Sequence, residues 1–474
     1  MAKPQASKQT KRTATHTRKM PSTGRPADKR RAARSSAAAC LCAFALGGCA
    51  LYHPRPLDEN AAPKDASTLS QATQQIKAPR LAPLPIPPQG PWSDLQLADI
   101  AIVANPDLKA LRAQADVADA QVFASGLLPD PQIGIGVDDP DGSGVVNAYT
   151  LSAGFDIAAL LTRHSRVAAA RANAEQVRRD IAWQEWLAAN QVRLLARRWQ
   201  FLEREHDVAA RAADAAEKLL ALTQIAVDQH NARLDDLALR RVAVLDARAR
   251  EGGLARDLEA ARLQLNQAVG VAPDVRLPLA DATALHDPFT LDAAALEKQA
   301  LTDRLDLAAL RAGYASQEAA VRGEILQQYP LPTLTLARAR DTTPVYTKGA
   351  ALSFSLPLWN RNRGGIAVAK ATREQLHAEY AARVFDAQSS IAAQIESLKQ
   401  IAAQRQALDA QLDHLRDEMQ PLEQASERRD VALVTFETAR AALLDKEIAS
   451  LGLAQAQSEG EIALAIDVGN LIWK

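Results

Sequence analysis

Aromatic side chains make up only 4% of this 474-residue chain, and its three cysteines all fall within the first 49 positions. So few large rings are poor material for a large globular core. Glycine and proline are nearly absent over long stretches, while the strong helix formers Ala, Leu, Gln, Arg and Glu recur throughout. That balance predicts helices well beyond the usual length. The formal net charge of zero hides an asymmetry: residues 1–48 hold 11 of the 56 Lys and Arg with a single acid, leaving 45 basic against 55 acidic side chains afterwards. An acidic body has no electrostatic reason to bind nucleic acid.

The basic start has its own reading. In "KRRAARSSAAACLCAFALGGCA", Lys29, Arg30, Arg31 and Arg34 precede a short apolar run that ends in Leu46-Gly47-Gly48-Cys49. This is the pattern of a secretory signal, and the run is too short for an ordinary membrane-spanning helix. Leu-Gly-Gly-Cys resembles a bacterial lipobox, which implies cleavage before Cys49 and its acylation. Ala50 in the next position points to the outer membrane. Cys40 and Cys42 would leave with the signal, so no intramolecular disulfide is available and the anchor is lipid. The start of translation is open between Met1 and Met20. Arg30-Arg31 lacks the apolar context of a twin-arginine signal.

The expected organisation is a signal peptide over 1–48, a proline-rich tether over 49–92 ("RLAPLPIPPQGPW"), and two repeats over 93–270 and 291–474 joined by 271–290. The tether's composition favours extended backbone. The repeat is a matter of fixed offset. "NPDLKALRAQADVADAQ" (105–121) matches "RLDLAALRAGYASQEAA" (304–320), with Asp107 over Asp306 and Leu111-Arg112-Ala113 over Leu310-Arg311-Ala312. Val269-Gly270 lies over Val468-Gly469, again 199 residues apart.

Each copy reads helix, strand, turn, strand, helix pair. Ile133, Ile135 and Val137 alternate with Gln132, Gly134 and Gly136, and Leu352, Phe354, Leu356 and Leu358 alternate with Ser353, Ser355 and Pro357. "DDPDGSG" and "DTTPVYTKG" supply the hairpin loops. Beyond the second hairpin, Asn360 to Gly365 redirect the chain, with Gly364-Gly365 serving the turn, and Ile366 onward starts a helix. A seven-residue beat follows: Leu187, Leu194, Phe201, Val208, Ala215 and Leu222 in the first copy, and Ile401, Leu408, Leu415 and Leu422 in the second. Helix from Thr162 to Asn231 would measure roughly 100 Å at ~1.5 Å per residue. Pro421 is expected to kink its counterpart.

A strand with one oily and one polar face suits either a membrane barrel wall or a soluble hairpin packed on helices. About four strands are far too few to close a barrel, and an unpaired strand edge cannot persist in lipid. A membrane location would therefore require several chains to share one barrel.

No phosphate loop, nucleophile elbow or zinc helix motif occurs, so neither enzyme chemistry nor a cofactor is expected. His164, His206, His230, His286, His377 and His414 are scattered, without metal-binding helical spacing. Met419 alone gives no soft-metal ladder, and no metal site is expected.

The lipobox, the tether, the tandem hairpins with very long helices, and the stretches "ASGLLPDPQIGIG" and "FSLPLWNRNRGGIAVAKA" together resemble the TolC-type outer-membrane efflux proteins. "GLLPDP" is similar to the lipidated branch that serves heavy-metal and drug pumps. The resemblance covers roughly residues 93–474. It implies a mainly α fold with a shared transmembrane β-barrel, in which a homotrimer forms a channel-tunnel. It implies a periplasmic adaptor and an inner-membrane pump as partners, and passive export of metal ions or small toxic molecules.

In that family each helical hairpin bends at its periplasmic tip, usually at a Gly, and an acid follows that narrows the tunnel. "QHNARLDDL" and "ETARAALLD" are assigned to those places, with His230 or Asn231, and Ala439, replacing the Gly. Asp236 and Asp445 are then the constriction candidates, against the alternative of solvated helix-face acids; Arg233 and Arg440 lie nearby. Trp359, Tyr149 and Tyr346, near strand ends, are candidates for the interface of lipid and water, against ordinary packing. A lipid-anchored periplasmic coiled-coil adaptor or scaffold is the alternative, and it would be expected to carry one hairpin rather than two equal halves.

Overall fold

The computed structural model describes residues 52–57, 86–87, 90–281 and 284–473. The chain divides into two units, Met1–Ala62 and Pro63–Lys474. In the first, residues 52–57 are exposed and carry no regular secondary structure. Cys49, the signal and most of the tether lie outside the described residues. Everything below concerns the second unit.

Its elements follow in the order α1 (Asp94–Ala104), α2 (Pro106–Gly126), β1 (Gln132–Asp138), β2 (Ala148–Asp156), α3 (Ile157–Asp228) and α4 (Leu234–Val269). The second copy gives α5 (Ala293–Asp303), α6 (Leu305–Leu326), β3 (Pro332–Arg340), β4 (Tyr346–Phe354), α7 (Arg363–Glu427) and α8 (Leu433–Val468). Local signals set the boundaries. Ser93 and Gln96 exchange hydrogen bonds of 3.2 and 2.9 Å in a capping box that starts α1. Asn105 ends α1 and caps α2, its Oδ1 accepting from the Asp107 and Leu108 amides, with Pro106 in the first turn.

The offset of 199 persists in packing. Leu97, Ala101, Val192, Ala196, Leu265 and Val269 lie in one core; Leu296, Ala300, Ile391, Ile395, Leu464 and Val468 form another from the matching positions. Each buried Leu, Ile or Val among them contributes ~1.5–3 kcal/mol. A polar contact within each copy is repeated as well: Asn105 Nδ2 donates to Ala268 O at 2.9 Å, and Arg304 Nη1 donates to Asp467 O at 3.0 Å. Gly270 and Gly469 end α4 and α8 with φ of 86° and 77°. A Cβ on Gly469 would meet the Arg304 backbone at 2.9 Å, so both conformation and space select glycine there.

The copies interleave rather than stand apart, since α3 packs against α1, α2, α4, α6 and α8. Val208, Ala209 and Ala215 of α3 share a core with Leu444 and Ile448 of α8. A buried ionic network also joins them. Asp94 Oδ2 lies 3.2 Å from Arg193 Nε and 3.1 Å from Arg197 Nε, and Arg197 reaches Ser458 Oγ at 3.0 Å and Glu461 at 3.7 Å. Glu461 in turn accepts from the His286 amide at 2.8 Å, and the His286 ring stacks on Trp473.

Several expectations shift. The long helix runs from Ile157 to Asp228, 72 residues or roughly 110 Å. Phe201, Val208 and Ala215 of the expected seam are buried, and Leu187, Leu194 and Leu222 half-buried. In α7 the buried stripe is Ile391, Ile395, Leu398 and Ala402, not the line through Ile401, Leu408, Leu415 and Leu422, because α5 and α8 pack on the former. Pro421 lies inside α7, which continues to Glu427.

The tether's end is not free either. Trp92 is buried, its amide donates to Pro278 O and its carbonyl accepts from Ala280 N, both at 2.8 Å, which clamps it to the inter-repeat segment.

Candidate channel wall and helical tips

The two hairpins form one antiparallel sheet in the order β1-β2-β3-β4. Within it β2 pairs with β3 across the repeats, Tyr149 opposite Arg340 and Asp156 opposite Thr333. Directly opposed residues share a face, so the register sorts the sheet completely. One face carries Ile133, Ile135 and Val137 with Leu151 and Phe155, then Leu334 and Leu336, then Leu352 and Phe354. The other carries Gly134, Gly136, Thr150, Ser152, Gly154, Thr333, Thr335, Ala337, Thr347 and Ser353. Strands of 7, 9, 9 and 9 residues approach the ~9–11 that a tilted membrane strand needs.

The oily face is uncovered: Ile135 is 79% exposed and Leu352 58%. Strands β1 and β4 each end the sheet with one unpaired edge. Helix α4 adds uncovered apolar residues, Leu234, Leu239, Val242 and Leu245.

At the distal end of the sheet Tyr149, Arg340 and Tyr346 stand in one row, with the Arg340 guanidinium 5.9 Å from each ring. Trp359 lies at the opposite, helical end and is 83% exposed. The interface candidates thus sit at both ends of one wall. Pattern reading did not pick out Arg338, Arg340 and Lys348 on the oily face; strict alternation from Leu334 through Leu336 would have placed the first two there.

Strand and helix meet differently in the two copies. Asp156 ends β2 and caps α3 at once, its carboxylate accepting from the Ala159 amide at 2.9 Å. β4 ends at Phe354 rather than Leu358, because the facing strand β3 starts only at Pro332 and offers Ser355 onward no partner. The turn that follows uses left-handed Arg361 (φ 47°) and Asn362 (φ 49°), not Gly364-Gly365. Asn362 Nδ2 donates to Glu324 O and Oε2 at 2.9 and 2.7 Å, tying the turn to α6. A Cβ on Gly365 would meet Glu324 Oε2 at 2.5 Å and Asn362 Oδ1 at 2.7 Å, so the two side chains that tie the turn would have to shift.

The helical tips also repeat at 199. Helix α3 ends with His230 (φ 62°), and the Asn231 amide donates to Ala226 O at 2.7 Å. Helix α7 ends with Arg429 (φ 65°), and the Asp430 amide donates to Ala425 O at 2.8 Å. The second tip is therefore Arg428 to Ala432, not "ETARAALLD", which lies within α8. Asp236 sits at the first tip, exposed, its carboxylate accepting from the Arg233 amide at 3.4 Å, while Arg233 Nε reaches Asp235 at 3.0 Å. Asp445 lies twelve residues into α8 and pairs with Arg250 at 2.8 Å. The position matching Asp236 is Thr435. Ala439 is mid-helix, and Arg440 approaches Glu437 at 3.8 Å. No glycine marks the second tip, so only the 199 offset could have found it.

Among the described residues no group of three or more His, Cys, Asp or Glu could hold a metal ion, and no helix is long and apolar enough to cross a membrane.

No protein-family model and no curated protein matches the chain. Solved structures do. The CmeC outer membrane channel of Campylobacter jejuni is 13% identical with a TM-score of 0.67, over 90% of this chain and 96% of that one. The outer-membrane channel OprN is 17% identical with a TM-score of 0.66, over 89% and 99%. The MtrE outer membrane channel of Neisseria gonorrhoeae, in its open state, is 18% identical with a TM-score of 0.63, over 80% and 89%. These matches span 89–99% of each channel's length, and the chain has the fold of the TolC-type outer-membrane efflux channels.

Proposed function

We propose that three copies of this chain form the outer-membrane channel-tunnel of a tripartite efflux system, anchored by a lipid on Cys49. The channel conducts metal ions or small toxic molecules passively, from an inner-membrane pump and its periplasmic adaptor to the exterior. No bond is made or broken in the chain. The observation that carries this reading is the four-stranded sheet, apolar on one face, small and polar on the other, and open at both edges. Such edges demand partners in lipid, and three copies supply twelve strands, above the ~8 that membrane barrels need. The bare apolar residues on α4 are suited to burial between copies.

Asp236 at the first tip is proposed to line the constriction, where symmetry would repeat it as an acidic ring that attracts cations. Asp445 would contribute a second ring three turns further along, partly neutralised by Arg250. The test is planar-bilayer recording of protein extracted from outer membranes. Stable channels are expected, with conductance raised by Asp236→Ala and less by Asp445→Ala. Absence of channels would overturn the function, and unchanged conductance in both variants would return these acids to solvated helix faces.

A further inference from the structure

We propose that the outward face of the sheet, at its distal end, binds the phosphorylated headgroup of an outer-leaflet lipid through Arg338, Arg340 and Lys348. The inference rests on the barrel reading above, which turns the apolar face toward lipid.

Strand β3 is apolar at Leu334 and Leu336 and then basic at Arg338 and Arg340, all on one face. Lys348 of β4 stands directly opposite Arg338, and Arg340 stands between Tyr149 and Tyr346. Neighbouring strands are ~4.8 Å apart and same-face residues along a strand ~7 Å apart, so three cations share a patch the size of one headgroup. Like charges placed opposite each other destabilise a sheet unless something neutralises them.

Nothing in the chain does so. Among the described residues, no carboxylate pairs with any of the three. The adjacent Asp341 carboxylate is occupied within its own loop, accepting from the Thr343 and Val345 amides at 2.9 and 3.0 Å. Asp138, at the end of β1, belongs to the opposite, polar face by register. Arg340 Nε is buried without a hydrogen-bond partner. The side chain as a whole is half-exposed beside the two rings, and a phosphate is the anion that matches a guanidinium's donor geometry.

Depth agrees with this assignment. A Lys or Arg facing lipid is costly at the bilayer midplane and nearly free of cost near the interface. The three lie at the end marked by two tyrosines, rings that favour the headgroup level. The site would recur once per copy around the rim.

The test uses the full-length oligomer in detergent, titrated with bisphosphorylated lipid A, with lipid A stripped of its phosphates, and with inorganic phosphate as competitor. Wild type is expected to bind the phosphorylated lipid at least ten-fold more tightly than the stripped form, more weakly as salt rises, with no displacement by equimolar phosphate. The triple variant Arg338→Gln, Arg340→Gln, Lys348→Gln should lose that preference while extracting as the same oligomer. Should it fail to assemble, Lys348→Gln alone is expected to lower the preference several-fold. Equal binding of both lipids, retention of the preference in the variants, or displacement by equimolar phosphate would overturn the site. Conductance of wild type in bilayers without lipid A separates the two claims: channels without lipid preference overturn only this inference, whereas no channels overturn the barrel and the site together.

Discussion

His230 and Arg429, 199 residues apart, hold the same left-handed backbone, at φ of 62° and 65°, and close the same pattern of hydrogen bonds at the ends of α3 and α7. A left-handed conformation costs a non-glycine residue ~1–2 kcal/mol, so both tips are strained in the same way. His230→Gly and Arg429→Gly should each stabilise the local turn by up to ~1 kcal/mol, less the extra freedom glycine gains in the unfolded chain. Limited proteolysis at the tips, read by mass spectrometry, should slow in both variants. Faster cleavage would show that the side chains hold the turn.

Asp94 is the shared partner of two buried arginines. Replacing it with Ala removes the carboxylate from both, leaving Arg193 with Asn190 Oδ1 at 2.8 Å and Arg197 with Ser458 and Glu461; loss of one partner of a buried ion pair typically costs ~3–5 kcal/mol. Chemical denaturation of Asp94→Ala should show a loss of that order; a change under ~1 kcal/mol would mean that Glu461 and Asn190 compensate.

Two carboxyls give opposite dependences on pH. Burial alone would raise Asp306, but the hydrogen bonds and charge of Arg304, with the Leu307 amide and Arg383, outweigh it and hold the carboxyl below the usual range. Its stabilisation is full above the unfolded aspartate pKa of ~3.9 and is lost as pH falls through the lower folded value. Burial raises Asp467 despite the charge of Arg304. That group lowers stability as pH rises through ~3.9 and beyond, toward its higher folded value. Melting curves from pH 2 to 7 should show a shallower acid loss in Asp306→Asn, and higher stability near neutrality in Asp467→Asn. Parallel curves for wild type and both variants would refute the assignment.

The faces of the sheet should respond differently to charge. Ile135→Lys, near the middle of the oily face and opposite Leu151, should impair outer-membrane insertion by ~2–4 kcal/mol. Thr335→Lys, on the other face and opposite Gly154 and Ala351, should insert normally and shift ion selectivity toward anions. Fractionation with reversal-potential measurements reads both. Equal insertion of the two variants would argue that the sheet does not sit in lipid.

Much of this was legible in the sequence because the physics was local or repeated. Alternation sorted the faces of Ile133 to Val137 and of Leu352 to Phe354, and the offset of 199 aligned Val269-Gly270 with Val468-Gly469, which the structure shows as matching helix ends. What escaped depended on tertiary neighbours. The end of β4 was overrun because apolar alternation continues through Leu358, while its partner β3 starts only at Pro332, opposite Phe354. The second tip was misplaced because Arg429, an unusual residue for a left-handed turn, carries no composition signal. The buried stripe of α7 is chosen by α5 and α8 rather than by the heptad beat. Asp94 meets Arg193 and Arg197 only once α1 is laid across α3.

The most direct test of the central claim is cryo-electron microscopy of the detergent-extracted protein. The account predicts three copies around one axis and a single closed barrel of twelve strands, with β1 of each copy hydrogen-bonded to β4 of the next and the Ile135 face outward. A monomer, or an assembly in which those two edges stay unpaired and the Ile135 face packs against helices in water, would contradict it.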